Sequence, residues 1–153
     1  MDENKILVPY NFTDMDKKAL DFVVQTYAEN KNVRITLFYT YAPVPEMILN
    51  RNSVMKKMSD SLHYLRQQVI EQENRLVQVQ QHLLDSGFQK NQVDYLFLPK
   101  KGDLAREIIA LAKDQGYNTI VLNRTGNVTG FFKASVFNKV VTSLKHINIA
   151  IIT

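Results

Sequence analysis

The sequence predicts a single α/β domain over residues 1–153, built on a five-stranded parallel sheet with helices on both faces. Two observations carry this. Short β-branched or apolar runs alternate with segments of helical period along the whole chain, the pattern of strand–helix–strand units. The runs are apolar at successive positions rather than at every second one, as strands covered on both faces must be. No Pro/Gly/Ser-rich stretch divides the chain, and 153 residues at 45% hydrophobic content can bury one sizeable core.

The elements follow in order. KILVPY (5–10) is the first strand. In NFTDMDKKAL, Thr13 and Asp16 have capping-box spacing, with Asp in place of the usual Glu, and open a helix that runs to about Asn30. Its apolar stripe is Ala19, Leu20, Val23, Val24 and Tyr27. VRITLFYTYA (33–42) is a second strand, ended by Pro43 and Pro45. From Ser53 to Ser86 a long helix carries Met58, Leu62, Leu65, Val69, Gln72, Leu76, Val79 and Leu83 in steps of four and three, and Gly87 closes it as a C′ residue. At 1.5 Å per residue it spans about 50 Å, more than a small sheet needs. It is either an amphipathic cover helix or a seam for a protein partner or self-association, with Gln72 setting register. VDYLFLP (93–99) is the third strand. Asp103 then caps a helix with a stripe through Ile108, Leu111 and Ala112 that stops at Gly116. TIVLN is the fourth strand, residues 134–145 a last helix, and NIAIIT the fifth strand. Right-handed crossovers join such strands, and ligands bind beyond their carboxyl ends where strand order reverses.

Composition removes several function classes. The chain has no cysteine, so disulfides, thiol nucleophiles and Cys-based zinc sites are out. The net charge is +4, but the pairs Lys17-Lys18, Lys56-Lys57 and Lys100-Lys101 lie far apart with no aromatics between them, which reads as solvated surface rather than a nucleic-acid interface. Runs such as TIVL and NIAII are far too short to cross a bilayer, and MDENK lacks a signal peptide's apolar core. A cytoplasmic location is expected, with no membrane partner. His63, His82 and His146 are too scattered for one metal ion, so no metal site is expected. KKMSD (56–60) looks like the KMSKS loop of class I tRNA synthetases but sits where helical periodicity begins. No G-x-S-x-G elbow and no paired carboxylates on a site loop occur, and Asp14 and Asp16 read as helix N-terminal charges, so no catalytic residue is assigned.

Five pieces in order resemble the universal stress protein family. KILVPYNFTDMDKKAL resembles its opening strand and helix, VRITLFYTYAPVP its second strand, and KGDLAREII its turn into the third helix. TIVLNRTG and SLKHINIAIIT resemble its fourth-strand and closing segments. The likeness spans nearly the whole chain except the long central helix. It implies sheet order 3-2-1-4-5, a homodimer through the last strand, and a stress-response role. Many members bind ATP through a glycine-rich loop, G-x2-G-x9-G-S/T, between strand four and the last helix.

Here the loop LNRTGNVTGFFKASV (122–136) departs from that pattern. Aligned on Gly126, the first glycine position is Asn123, seven residues instead of nine follow Gly126, and the third glycine position is Ala134, while Ser135 keeps its type. The family's acidic residue after strand one aligns with Asn11, which carries no charge. Glycines admit positive φ and let backbone N–H groups approach phosphate closely, so their loss narrows what the loop can do. What remains is a helix N-terminus with Ser135, the backbone at Val136, and the charges of Arg124 and Lys133. Pro9, Tyr10, Asn11, Tyr41, Asn123, Arg124, Gly126, Gly130, Ser135 and Val136 are therefore the candidate ligand residues. By the resemblance, Tyr10 and Tyr41 flank the adenine position, where they either stack on a base or fill its space; Phe131 and Phe132 either plug a pocket or pack. The expectation is a non-catalytic regulator or scaffold without a resident cofactor that does not hold ATP in the family manner. The alternative is a module for ATP, AMP or another anion.

Overall fold

The computed structural model describes residues 2–45, 53–123 and 134–153, the side chains of 53–55 and 134–136 excepted. Five parallel strands, β1 (Asn4–Pro9), β2 (Val33–Tyr41), β3 (Val93–Pro99), β4 (Thr119–Asn123) and β5 (Asn148–Ile152), form one sheet in the order β3-β2-β1-β4-β5. Helices α1 (Asp14–Tyr27), α2 (Ser53–Asp85), α3 (Leu104–Asp114) and α4 (Ala134–Ser143) connect them.

The alternation of side chains along each strand sorts the core into two layers. On one face Ile6, Val8, Tyr10, Ile35, Leu37, Tyr39 and Val121 pack against Ala19, Leu20 and Val23 of α1 and Leu76 and Leu83 of α2. On the other, Leu7, Phe38, Ile120 and Leu122 pack against Leu104, Ala105, Ile108 and Ala112 of α3 and Val140 and Leu144 of α4. β1 lies in the middle, paired with β2 in register Ile6↔Ile35 and with β4 in register Ile6↔Thr119. The chain therefore turns to opposite sides after β1 and after β4, and the crevice between them at the carboxyl edge is the switch point.

Local signals are realised as caps. Thr13 Oγ1 accepts the Asp16 N–H while Asp16 answers at the Thr13 N–H, a reciprocal capping box. α2 ends in a Schellman turn: Gly87, at φ +121°, donates to the Leu84 carbonyl and Phe88 to that of Leu83, seating the Phe88 ring in the core. α1 stops at Tyr27, three residues before the expected Asn30, because the chain turns there and the Asn30 N–H donates to the Tyr27 carbonyl. A short 3-10 turn, Lys90–Gln92, precedes β3, and its buried Gln92 amide donates to the carbonyls of Asn30 and Val33.

Helix α2 divides along its length. Leu76 and Leu83 are fully buried in the core against the sheet, with Val79 packed beside them, whereas Met58 is 48% and Leu65 40% exposed and Leu62, between them, is buried but outside both core clusters. No helix among the described residues is long and apolar enough to cross a membrane.

Candidate functional site

Pro9 ends β1 at the switch point, and the next four residues turn the chain into α1. Phe12 makes that turn at φ +60°, a left-handed conformation that costs a non-glycine residue of order 1 kcal/mol. The turn is held by Asp16, which is 1% exposed. Its Oδ2 accepts the N–H groups of Asn11 (2.9 Å) and Thr13 (3.0 Å) and the Thr13 hydroxyl (2.8 Å). Its Oδ1 accepts the side-chain amide of Asn123, at the end of β4. One carboxylate thus ties the ends of β1 and β4 together across the crevice. Burial pushes its pKa up, and the hydrogen bonds from Thr13, Asn11 and Asn123 pull it back without cancelling that rise.

Asn123, 2% exposed, is committed to this network through its amide, while its Oδ1 is buried without a hydrogen-bond partner among the described residues. The position that the resemblance assigns to a glycine near phosphate is here an internal strut.

Beside it runs a file of rings along the α1/α2 face. Tyr10 meets Phe12 edge-on at 5.1 Å, Phe12 leans on Tyr39 at 5.4 Å, Tyr39 stacks on Phe97 at 5.6 Å, and Phe97 stacks on Tyr41 at 4.6 Å. Arg75, from α2, lies over the Phe12 ring at 4.3 Å. Tyr10 is 2% exposed; burial first, and then the charge of Asp16, push its hydroxyl up to about 12 against the opposing pull of Arg75. Tyr10 and Tyr41 are thus joined through three intervening rings rather than placed on one cavity.

The structure therefore brings Asn11 and Asn123 together through Asp16 and sets Tyr10 and Tyr41 at opposite ends of the ring file. Ser135 and the backbone of Val136 lie in the first turn of α4, as expected. Arg124, Gly126 and Gly130, with Phe131, Phe132 and Lys133, lie outside the described residues. Four residues of the arrangement were not singled out for the site from sequence: Phe12, Tyr39, Arg75 and Phe97. In the sequence Asp16 reads as the capping-box partner of Thr13 and as a helix-terminal charge, but not as a residue of the site. Among the described residues no group of three or more His, Asp or Glu side chains could hold a metal ion.

A model of the family described as "Universal stress protein family" matches residues 3–146. A search of curated proteins found no match. Among solved structures, the universal stress protein UspA of Lactobacillus plantarum is 19% identical with a TM-score of 0.68, covering 100% of this chain and 99% of that one. The universal stress protein of Archaeoglobus fulgidus in complex with dAMP is 14% identical with a TM-score of 0.66, covering all of both chains. A family protein of Arabidopsis thaliana with AMP bound is 12% identical with a TM-score of 0.60, covering 97% of this chain and 90% of that one. At these identities the structural likeness speaks for the fold alone. The family model, which spans residues 3–146, carries the assignment: this chain belongs to the universal stress protein family.

Proposed function

We propose that this chain is a non-catalytic, cytoplasmic regulator or scaffold of the stress response that acts through protein contacts and does not hold ATP in the family manner. The engagement of Asn123 by buried Asp16 carries this reading, since a side chain and its partner occupy a place where the family's ATP binders keep a bare glycine backbone. The ring file from Tyr10 to Tyr41 supports it, because those aromatic surfaces are spent on one another. The edge position of β5, with Ile151 45% exposed, supports a homodimer through that strand, and the exposed Met58, Tyr64, Leu65 and Ile70 of α2 support a further protein contact.

Calorimetry with Mg-ATP, with AMP and phosphate as competitors, tests the central point. The expected result is no saturable heat up to about 1 mM nucleotide. Micromolar binding weakened by Arg124→Ala would favour the second reading, a nucleotide or anion module using Gly126, Ser135 and the Val136 N–H. That reading draws on the neighbours from Archaeoglobus fulgidus and Arabidopsis thaliana, whose structures hold dAMP and AMP. A monomer in sedimentation at micromolar concentration would remove the dimer.

A further inference from the structure

The α3/α4 face of the sheet carries a second, unrelated constellation. Outside α3, beside β2 and β3, lies a groove of about 400 Å³, within the range of small-molecule sites. Phe38, Leu98, Pro99, Ala110 and Leu111 give it an apolar wall, and the charged or polar Lys101, Asp114 and Gln115 line it as well. Leu98 is 43% exposed, an apolar surface without cover among the described residues. Two polar side chains of the lining each carry a buried oxygen with no hydrogen-bond partner among the described residues. Thr40, on β2, is 6% exposed and its Oγ1 is unpartnered; Glu107, in the first turn of α3, has its Oε2 buried and unpartnered. The other oxygen of Glu107 accepts the Lys101 N–H at 2.7 Å, which fixes the carboxylate in place. Leaving a buried carboxylate oxygen and a hydroxyl unmade costs free energy, and a ligand that satisfies both recovers it.

The chemistry of the pair selects the ligand. A carboxylate only accepts, and a hydroxyl can accept beside it, so the complement is a group with several donors and positive charge. An ammonium has three. The apolar wall requires a hydrocarbon body behind it. We propose that this groove binds a small amphipathic primary amine, its ammonium seated between Glu107 Oε2 and Thr40 Oγ1 and its hydrocarbon body against Phe38, Leu98 and Leu111. The site is separate from the crevice between β1 and β4, and it stands or falls independently of nucleotide binding.

Titration of the full 15N-labelled chain with n-butylamine, followed by amide shifts, tests this, with n-butanol and butyrate as equal-sized controls. Saturable shifts confined to Thr40, Leu98, Glu107, Leu111 and their neighbours are expected, with an affinity on the order of 1 mM for so small a probe. Butanol should bind more weakly and butyrate not at all. Glu107→Gln keeps an acceptor for the Lys101 N–H and should weaken butylamine by about tenfold or more; Thr40→Val should weaken it by a smaller factor. Equal shifts with butanol or butyrate, shifts that never saturate, or unchanged affinity in Glu107→Gln would each overturn the proposal. So would a Thr40→Val chain with raised Tm together with no amine binding to the unaltered chain, since hydration alone would then account for both atoms.

Discussion

Helices α1 and α3 both open on a carboxylate just past the end of a parallel strand, and the two carboxylates have opposite fates. Asp103, the N-cap of α3, accepts the Ala105 N–H and pairs with Lys139 of α4 at the surface. Its pKa is lowered, chiefly by the hydrogen bond from Lys139. Asp16, two residues inside α1, is sealed from water and its pKa is raised by burial. Position in a helix start thus says where a carboxylate can cap, and burial decides whether its charge helps or costs.

The sharpest way to break this contrast is Asp16→Ala. It strands the N–H groups of Asn11 and Thr13 and the Asn123 amide, and a loss of about 3 kcal/mol is expected in urea unfolding at neutral pH. A loss within error of zero would mean that the β1–β4 tie carries no weight. Next in size is Asp103→Ala, which removes one part-buried cap bond and screened ion pairs; its loss should be several-fold smaller in the same experiment, roughly that of an ordinary helix cap. The smallest effect sharpens the comparison most, because the signs differ. Asp16 binds its proton more tightly folded than unfolded, so the proton-linked part of its contribution is fully present below the ordinary value of 3.8 and is lost as pH rises through its higher folded pKa, while its hydrogen bonds to Asn11, Thr13 and Asn123 remain. Asp103 behaves oppositely, contributing above 3.8 and losing that contribution as pH falls through its lower folded value. Carboxyl 13C titration should place the two resonances on either side of 3.8; both moving at the same pH would erase the distinction.

The architecture was legible where the information is local. Strand runs, the Thr13–Asp16 box, the Asp103 cap and the Gly87 stop each lie within a few residues, and each is realised. Strand order came from family likeness, because local pattern does not specify which strands meet. The site was less legible for the same reason. Asp16 and Asn123 are 107 residues apart, and nothing in either neighbourhood says that one serves the other. Arg75 reaches Phe12 only because the C-terminal part of α2 lies on the sheet, a fact that the uniform heptad stripe conceals. The left-handed turn at Phe12 was invisible, since a bulky aromatic is the wrong residue to signal positive φ. Thr40 and Glu107 went unnoticed because Thr in a strand and Glu in a first helical turn are what propensity expects.

The central place of β1 also sets a clock. Its pairing with β2 is available once the first strands emerge during synthesis, but its other side waits for β4; the bond from the Lys5 N–H to Asn118 Oδ1 spans 113 residues. At ribosomal speed that is roughly ten seconds in which the middle strand shows an unpaired backbone edge to solvent. The nascent half-sheet of β1, β2 and β3 is therefore the species most exposed to chaperones and to misassembly, and the slow step of folding is the arrival of the chain that docks at β4.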